Sequence, residues 1–133
     1  WENKIIELGK NTFGWKSLKL NFGKKQVTMT VTETNGKSYE LPFGYQQWIT
    51  TTFDSYPPYS ITPIDRFKGL EGPYYASGSY AWISKEELQL KAHYVNWVSA
   101  LEITFHLEEN GEVKLNVQTN YIKKPYTIIG KIK

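Results

Sequence analysis

The sequence has no cysteine, only two histidines and no long apolar run. Without cysteine, disulfide cross-links and thiol chemistry are excluded, while the cellular compartment stays open. No window approaches the roughly 18 apolar residues of a membrane helix, and no signal-peptide pattern marks the start. We therefore expect a soluble chain without membrane insertion. Because it begins at Trp1 rather than Met, we expect a processed protein or a domain cut from the C-terminus of a longer one.

Charge of one sign is also scarce. The 16 basic and 13 acidic side chains leave a formal charge of +3, and the basic residues cluster only in Lys24-Lys25 and Lys123-Lys124. Nucleic-acid binding requires a basic stripe with interleaved aromatic or base-reading groups. Nucleic acid is therefore not an expected partner.

Aromatic residues, in contrast, are abundant. They make up 16% of the 133 residues, which is far more core-forming surface than a disordered chain carries. Two separate cores in so short a chain would each be marginally stable. The sequence predicts one domain over residues 1–133.

Apolar and polar residues alternate in most of the chain, as in strands with one buried and one solvated face. Asn35-Gly36 and Asn110-Gly111 interrupt the pattern and favour tight hairpin turns. Ser84 to Glu87 resembles the start of a helix, but strand alternation follows, so we expect a turn there. The strands are predicted around 4–8, 18–22, 25–34, 38–43, 75–83, 88–94, 101–107, 113–117 and 127–132.

An antiparallel meander with one apolar face must close on itself or pair with a second sheet, since its edges and apolar face are otherwise exposed. We therefore expect an all-β fold, an antiparallel meander of about eight strands closed into a lipocalin-like barrel, with little helix. The segment from Gly44 to Gly72 breaks the alternation. Its prolines exclude a central strand, and its aromatic residues favour a cover packed over one barrel end, with or without a ligand.

Residues for catalysis or metal binding are few. His93 and His106 lie on the polar faces of their strands and lack the buried carboxylate of a catalytic triad. Their spacing does not form a usual metal-ligand cluster, so neither a metal nor another cofactor is expected. An enzyme would have to bring together groups such as Glu40, Asp54, Asp65 and His93, and this is the least favoured interpretation.

Aromatic side chains are the remaining candidates for a site. Most should fill the core, but some could line a pocket at the barrel mouth or form a sugar-stacking surface. The wider set includes Trp15, Tyr74, Tyr75 and Tyr80. The candidate ligand- or partner-binding residues are Trp48, Phe53, Tyr56, Tyr59, Trp82, Tyr94 and Trp97.

Several segments together resemble a known type of domain. They are Leu8 to Leu18, Gly36 to Gly44 with Leu41-Pro42-Phe43-Gly44, Ala76 to Trp82, and Glu87 to Thr104 running into Asn120-Tyr121. These runs resemble the C-terminal β domain of bacterial serine hydrolases of the class C β-lactamase and penicillin-binding-protein type.

The resemblance implies a lipocalin-like barrel without catalytic groups, attached to an upstream hydrolase domain that is exported to the periplasm or cell surface. The chain lacks the Ser-x-x-Lys and Lys-Thr-Gly elements of that catalytic domain, and Tyr94-Val95-Asn96 matches Tyr-x-Asn by coincidence. The leading hypothesis is therefore a noncatalytic accessory domain whose partner is the upstream hydrolase domain. The alternative is a free-standing binder of a small apolar or sugar ligand.

Overall fold

The fold is a closed β-barrel. The computed structural model describes residues 2–53, 74–95, 99–120 and 123–133, and no helix occurs among them. The strands are Ile5–Leu8 (β1), Trp15–Phe22 (β2), Gln26–Glu33 (β3), Ser38–Tyr45 (β4), Ile49–Phe53 (β5), Tyr74–Trp82 (β6), Glu87–Tyr94 (β7), Ser99–Leu107 (β8), Glu112–Thr119 (β9) and Tyr126–Ile132 (β10).

Nine of these strands form the barrel. β1 to β4 and β6 to β10 are each antiparallel meanders, and β1 pairs with β10 to join them. The ring closes through a short parallel contact in which Gly44 and Tyr45 of β4 pair with Ser79 and Tyr80 of β6. The predicted all-β closed meander is confirmed, with nine barrel strands where about eight were expected.

Two glycines permit close backbone approaches at and beside this closure. A Cβ atom on Gly78 would overlap the carbonyl oxygen of Pro42, and one on Gly44 would overlap the backbone of Gln47. Strand interiors normally disfavour glycine, but it is tolerated where two backbones approach closely. The approach of β4 to β6 therefore depends on the absence of a side chain at Gly78, and the turn from β4 into β5 depends on its absence at Gly44.

β5 is a strand that the alternation did not predict. The prolines between Gly44 and Gly72 predict that no central strand lies there, and Ile49–Phe53 is an edge strand that pairs antiparallel with β6 from Ile49↔Gly78 to Phe53↔Tyr74. This strand precedes Pro57 and has only β6 as its full-length partner, so its position at the end of the sheet order agrees with the tolerance of edge strands. The cover predicted for this region lies largely outside the described residues, which stop at 53 and resume at 74.

Inward-facing side chains fill the barrel. β9 shows the pattern most clearly, with Val113, Leu115 and Val117 fully buried between half-exposed polar residues. Strand ends define two ends of the barrel. We call them the Trp82 end, where β2, β4, β6, β8 and β10 finish, and the Tyr94 end, where β1, β3, β5, β7 and β9 finish.

Candidate functional site

Polar side chains enter the barrel interior mainly at the Tyr94 end. Tyr94 and Thr119 are each 2% exposed, and Thr119 is the one buried residue with a polar side chain other than tyrosine in the described ranges. Tyr39 faces inward on β4 close to Tyr94. We refer to Tyr39, Tyr94 and Thr119 as the hydroxyl cluster.

A buried tryptophan borders this cluster. Trp15 begins β2 and is 1% exposed, and its indole N–H donates a hydrogen bond to the Tyr39 hydroxyl. Phe13 stacks on Trp15 with ring centroids 4.8 Å apart, and Tyr126 meets Phe13 edge-on at 5.5 Å. An aromatic wall thus borders the polar end of the interior.

Burial changes the acid–base behaviour of the two tyrosines. Desolvation raises the pKa of Tyr39 far above its ordinary value, the hydrogen bond from Trp15 opposes this rise, and the charge of Glu33 adds to it. Desolvation also raises the pKa of Tyr94, with a further contribution from Tyr39. Both phenols therefore stay neutral even at pH values where an exposed tyrosine ionises, and they can both donate and accept hydrogen bonds.

Small side chains lie beside the tyrosines. Ala76 on β6 is the register partner of Tyr94, and Ala92 precedes Tyr94 by two residues on the same face. Both alanines are buried. They occupy little volume next to the hydroxyl cluster, whereas the Trp82 end holds larger inward residues such as Phe43 and Phe105.

The predicted site residues lie in separate places. Trp48 is 53% exposed and contacts His93 edge-on at 5.1 Å, which puts it on the outer wall of β7. Trp82 is 41% exposed and stacks on Phe22 at the opposite end from Tyr94. The structure does not bring Trp48, Trp82 and Tyr94 into one pocket.

Of the other predicted site residues, one belongs to a described strand and three lie outside the described residues. Phe53 is the last residue of β5 and pairs with Tyr74. Tyr56, Tyr59 and Trp97 lie outside the described residues.

The hydroxyl cluster contains two residues that were not predicted as site residues. Thr119 follows Val113, Leu115 and Val117 at the same two-residue spacing and faces inward with them. A polar residue at an inward position of the alternation is the sequence signal that could have identified it. Tyr39 likewise lies two residues before the buried Leu41, on the inward face of β4. The position of Tyr39 close to Tyr94 depends on the pairing of β4 with β6, and no local sequence pattern specifies that pairing.

The two described groups that were considered for catalysis lie apart, on β4 and on β7. Glu40 on β4 accepts a hydrogen bond from Thr30 at 3.2 Å, while His93 on β7 packs against Trp48. Asp54 and Asp65 lie outside the described residues. Within the described ranges, no group of three or more His, Asp or Glu side chains could hold a metal ion. The same ranges include no helix of the length and hydropathy needed to span a membrane.

No protein-family profile matches the chain. A search of curated proteins likewise finds no significant match.

Proposed function

We propose that this chain is a noncatalytic binding domain that takes a small, neutral, mainly apolar ligand at the Tyr94 end of the barrel. The hydroxyl cluster is the observation that supports the proposal most directly. Tyr39, Tyr94 and Thr119 place three hydroxyl groups at one end of an interior that is otherwise largely aliphatic and aromatic.

Barrel mouths are common ligand sites, and such sites combine apolar walls with a few polar groups that fix orientation. Here Trp15 and the neighbouring alanines supply apolar surface, and the neutral hydroxyls supply donors and acceptors. A charged ligand fits poorly, because the burial that raises the pKa of both phenols also disfavours an ionised guest. The matching ligand class is a compact apolar molecule with one hydroxyl or carbonyl group.

Cyclohexanol and cyclohexanone are suitable probes, observed through the NMR resonance of the Trp15 indole N–H, which a Trp15→Phe variant assigns. We expect saturable shifts of that resonance. Thr119→Val and Tyr94→Phe keep the side-chain shape but remove a hydroxyl, and each should weaken binding about three- to tenfold, the effect of one hydrogen bond.

Tyr80→Phe is the matched control, since Tyr80 is a buried tyrosine at the Trp82 end that packs against Tyr45 at 5.4 Å. It should bind the probes like the unmodified protein. The proposal fails if neither probe shifts the Trp15 resonance, or if Tyr80→Phe weakens binding as much as Tyr94→Phe does.

A second candidate is an accessory domain of an exported serine hydrolase, with the upstream catalytic domain as its partner. The resemblance described above supports it, together with exposed apolar side chains at the Trp82 end. Tyr45, Trp82 and Ile83 are all exposed there, and exposed apolar patches mark protein contacts when they are contiguous.

The full product of the open reading frame tests this candidate. If it carries an upstream Ser-x-x-Lys domain, that segment should bind residues 1–133 in pull-down and size-exclusion experiments. Trp82→Ser should reduce binding, whereas Ile129→Ser, at an exposed apolar residue of β10, should not. The candidate fails if no such domain is encoded or if the two segments do not bind.

A further inference from the structure

The outer wall of β5 to β9 carries an ordered set of polar side chains. Strand register places two rows across these strands. Small side chains form much of the floor, because Ser77 and Ser79 of β6 and Ala100 of β8 all point outward. The first row runs through Thr50, Ser77, His93 and Ala100, and the second through Ser79, Lys91, Glu102 and Gln118.

Two exposed aromatic side chains flank this floor. Trp48 is 53% exposed and rests against His93. Tyr75 is 43% exposed and lies two residues before Ser77 on β6, about 7 Å away along the strand at the usual rise. Exposed aromatic rings beside small polar residues form a flat, amphipathic platform.

A shallow depression of about 380 Å³ adjoins the platform. His93, Lys91, Ala100, Glu102, Gln118 and Asn120 are among its lining residues. Because His93 both lines the depression and contacts Trp48, the ring of Trp48 stands at its rim. We call the depression together with Trp48 and Tyr75 the wall groove.

Charges in the wall groove compensate one another. Lys91 and Glu102 approach to 3.5 Å, and Glu102 also accepts a hydrogen bond from Gln89 at 3.0 Å. A phosphate backbone would require unpaired basic side chains along its path, and an added peptide strand would pair with a free strand edge instead of lying across a sheet face. The remaining amide, imidazole and hydroxyl groups suit a neutral ligand with many hydroxyls.

We propose that the wall groove binds a neutral saccharide chain, with sugar rings stacking on Trp48 and Tyr75 and hydroxyl groups bonding to His93, Glu102 and Gln118. Stacking uses the apolar face of a sugar ring, and the polar floor accepts and donates hydrogen bonds to its edge. The groove lies on the outer wall and shares Thr119, but neither Tyr39 nor Tyr94, with the hydroxyl cluster, so variants at the two tyrosines distinguish this proposal from the ligand site at the Tyr94 end.

The test is a titration of the folded protein with cellotetraose and with tetra-N-acetylchitotetraose, followed by tryptophan fluorescence and by the NMR shifts of His93. We expect saturable binding of at least one of the two. Trp48→Ala should weaken that binding at least tenfold, and Tyr75→Ala should weaken it severalfold, since stacking on each ring is lost.

Two controls separate this result from other causes. Trp82→Ala removes another exposed tryptophan at the far end of the barrel, and Tyr94→Phe removes an interior hydroxyl that does not line the depression, and neither should change saccharide binding. Circular dichroism shows whether each variant keeps its fold. The proposal is overturned if neither oligosaccharide binds, or if a folded Trp48→Ala variant binds as tightly as Trp82→Ala.

Discussion

The side-chain amide of Asn11 forms hydrogen bonds with both backbone polar groups of Trp15, the N–H and the carbonyl. Its nitrogen donates to the Trp15 carbonyl oxygen at 2.7 Å, and its oxygen accepts from the Trp15 amide at 3.2 Å. The same side chain also donates to the Gly9 carbonyl and accepts from the Phe13 amide. One asparagine therefore organises the loop that leads to Trp15 and the hydroxyl cluster.

Asn11→Ala should lower the free energy of unfolding by about 2 to 3 kcal/mol, because four hydrogen bonds of roughly 0.5 to 1.5 kcal/mol each are replaced only in part by water. Urea denaturation measures the change. Asn11→Asp keeps the acceptor but loses both donors, so its loss should be intermediate. Thr12→Ala changes an exposed neighbour in the same loop and should have little effect. Equal stability of the alanine variants at positions 11 and 12 would contradict this role.

Alkaline pH should destabilise the fold. Tyr39 and Tyr94 have a pKa raised by burial, so the unfolded chain releases these protons near pH 10 while the folded chain retains them. The stabilisation is complete below about pH 10 and is lost as the pH rises towards the folded-state values, by up to about 1.4 kcal/mol per pH unit for each group. Urea midpoints between pH 8 and 11.5 measure the loss.

The double variant Tyr39→Phe with Tyr94→Phe should reduce this alkaline dependence to the contribution of Tyr80, whose pKa burial also raises, whereas Tyr126→Phe, at an exposed tyrosine, should leave it unchanged. An identical alkaline slope in the double variant would show that other groups control it.

The filled core gives a third prediction. Phe105 is fully buried in β8, between Leu88 of β7 and Leu115 of β9. Phe105→Ala should cost about 3 to 5 kcal/mol of unfolding free energy, since it removes buried apolar surface and leaves a cavity. Ile129→Ala, at an exposed position of β10, should cost far less. Similar losses in thermal or urea denaturation would contradict the assignment of Phe105 to the core.

Much of this fold could be predicted from local patterns. Alternation located β3, β7, β8 and β9 because each has an apolar and a solvated face. The two Asn-Gly turns were also predicted, and Gly36 and Gly111 do adopt the positive φ values of 85° and 81° that such turns require. These features depend on neighbouring residues, so the sequence displays them directly.

The sites were harder to predict because they depend on distant contacts. The outward position of Trp48 follows from the reversal of the chain at Gln46, which has a φ of 51°, and from pairing of β5 with β6. The position of Tyr39 near Tyr94 follows from ring closure between β4 and β6. Alternation assigns a side chain to a face of the sheet, but it does not say which strands become neighbours.

Ring closure leads to the last prediction. A methyl group at Gly78 would overlap the Pro42 carbonyl oxygen and lie 2.9 Å from a ring carbon of Phe43, so β4 would have to move away from β6. Gly78→Ala should therefore cost about 1 to 3 kcal/mol, the usual range for overpacking.

Gly23→Ala is the matched control, because its added methyl would lie 3.5 Å from the Gln26 carbonyl oxygen, an ordinary contact. Reducing backbone freedom there should leave stability unchanged or raise it slightly.

Hydrogen exchange distinguishes a local effect of Gly78→Ala from a global one. In Gly78→Ala, the amide of Gln46, which donates to the Tyr80 carbonyl oxygen beside the parallel contact, should lose protection before those of β8 and β9, because that contact is the shortest pairing in the ring. Uniform loss of protection would mean that the barrel opens elsewhere.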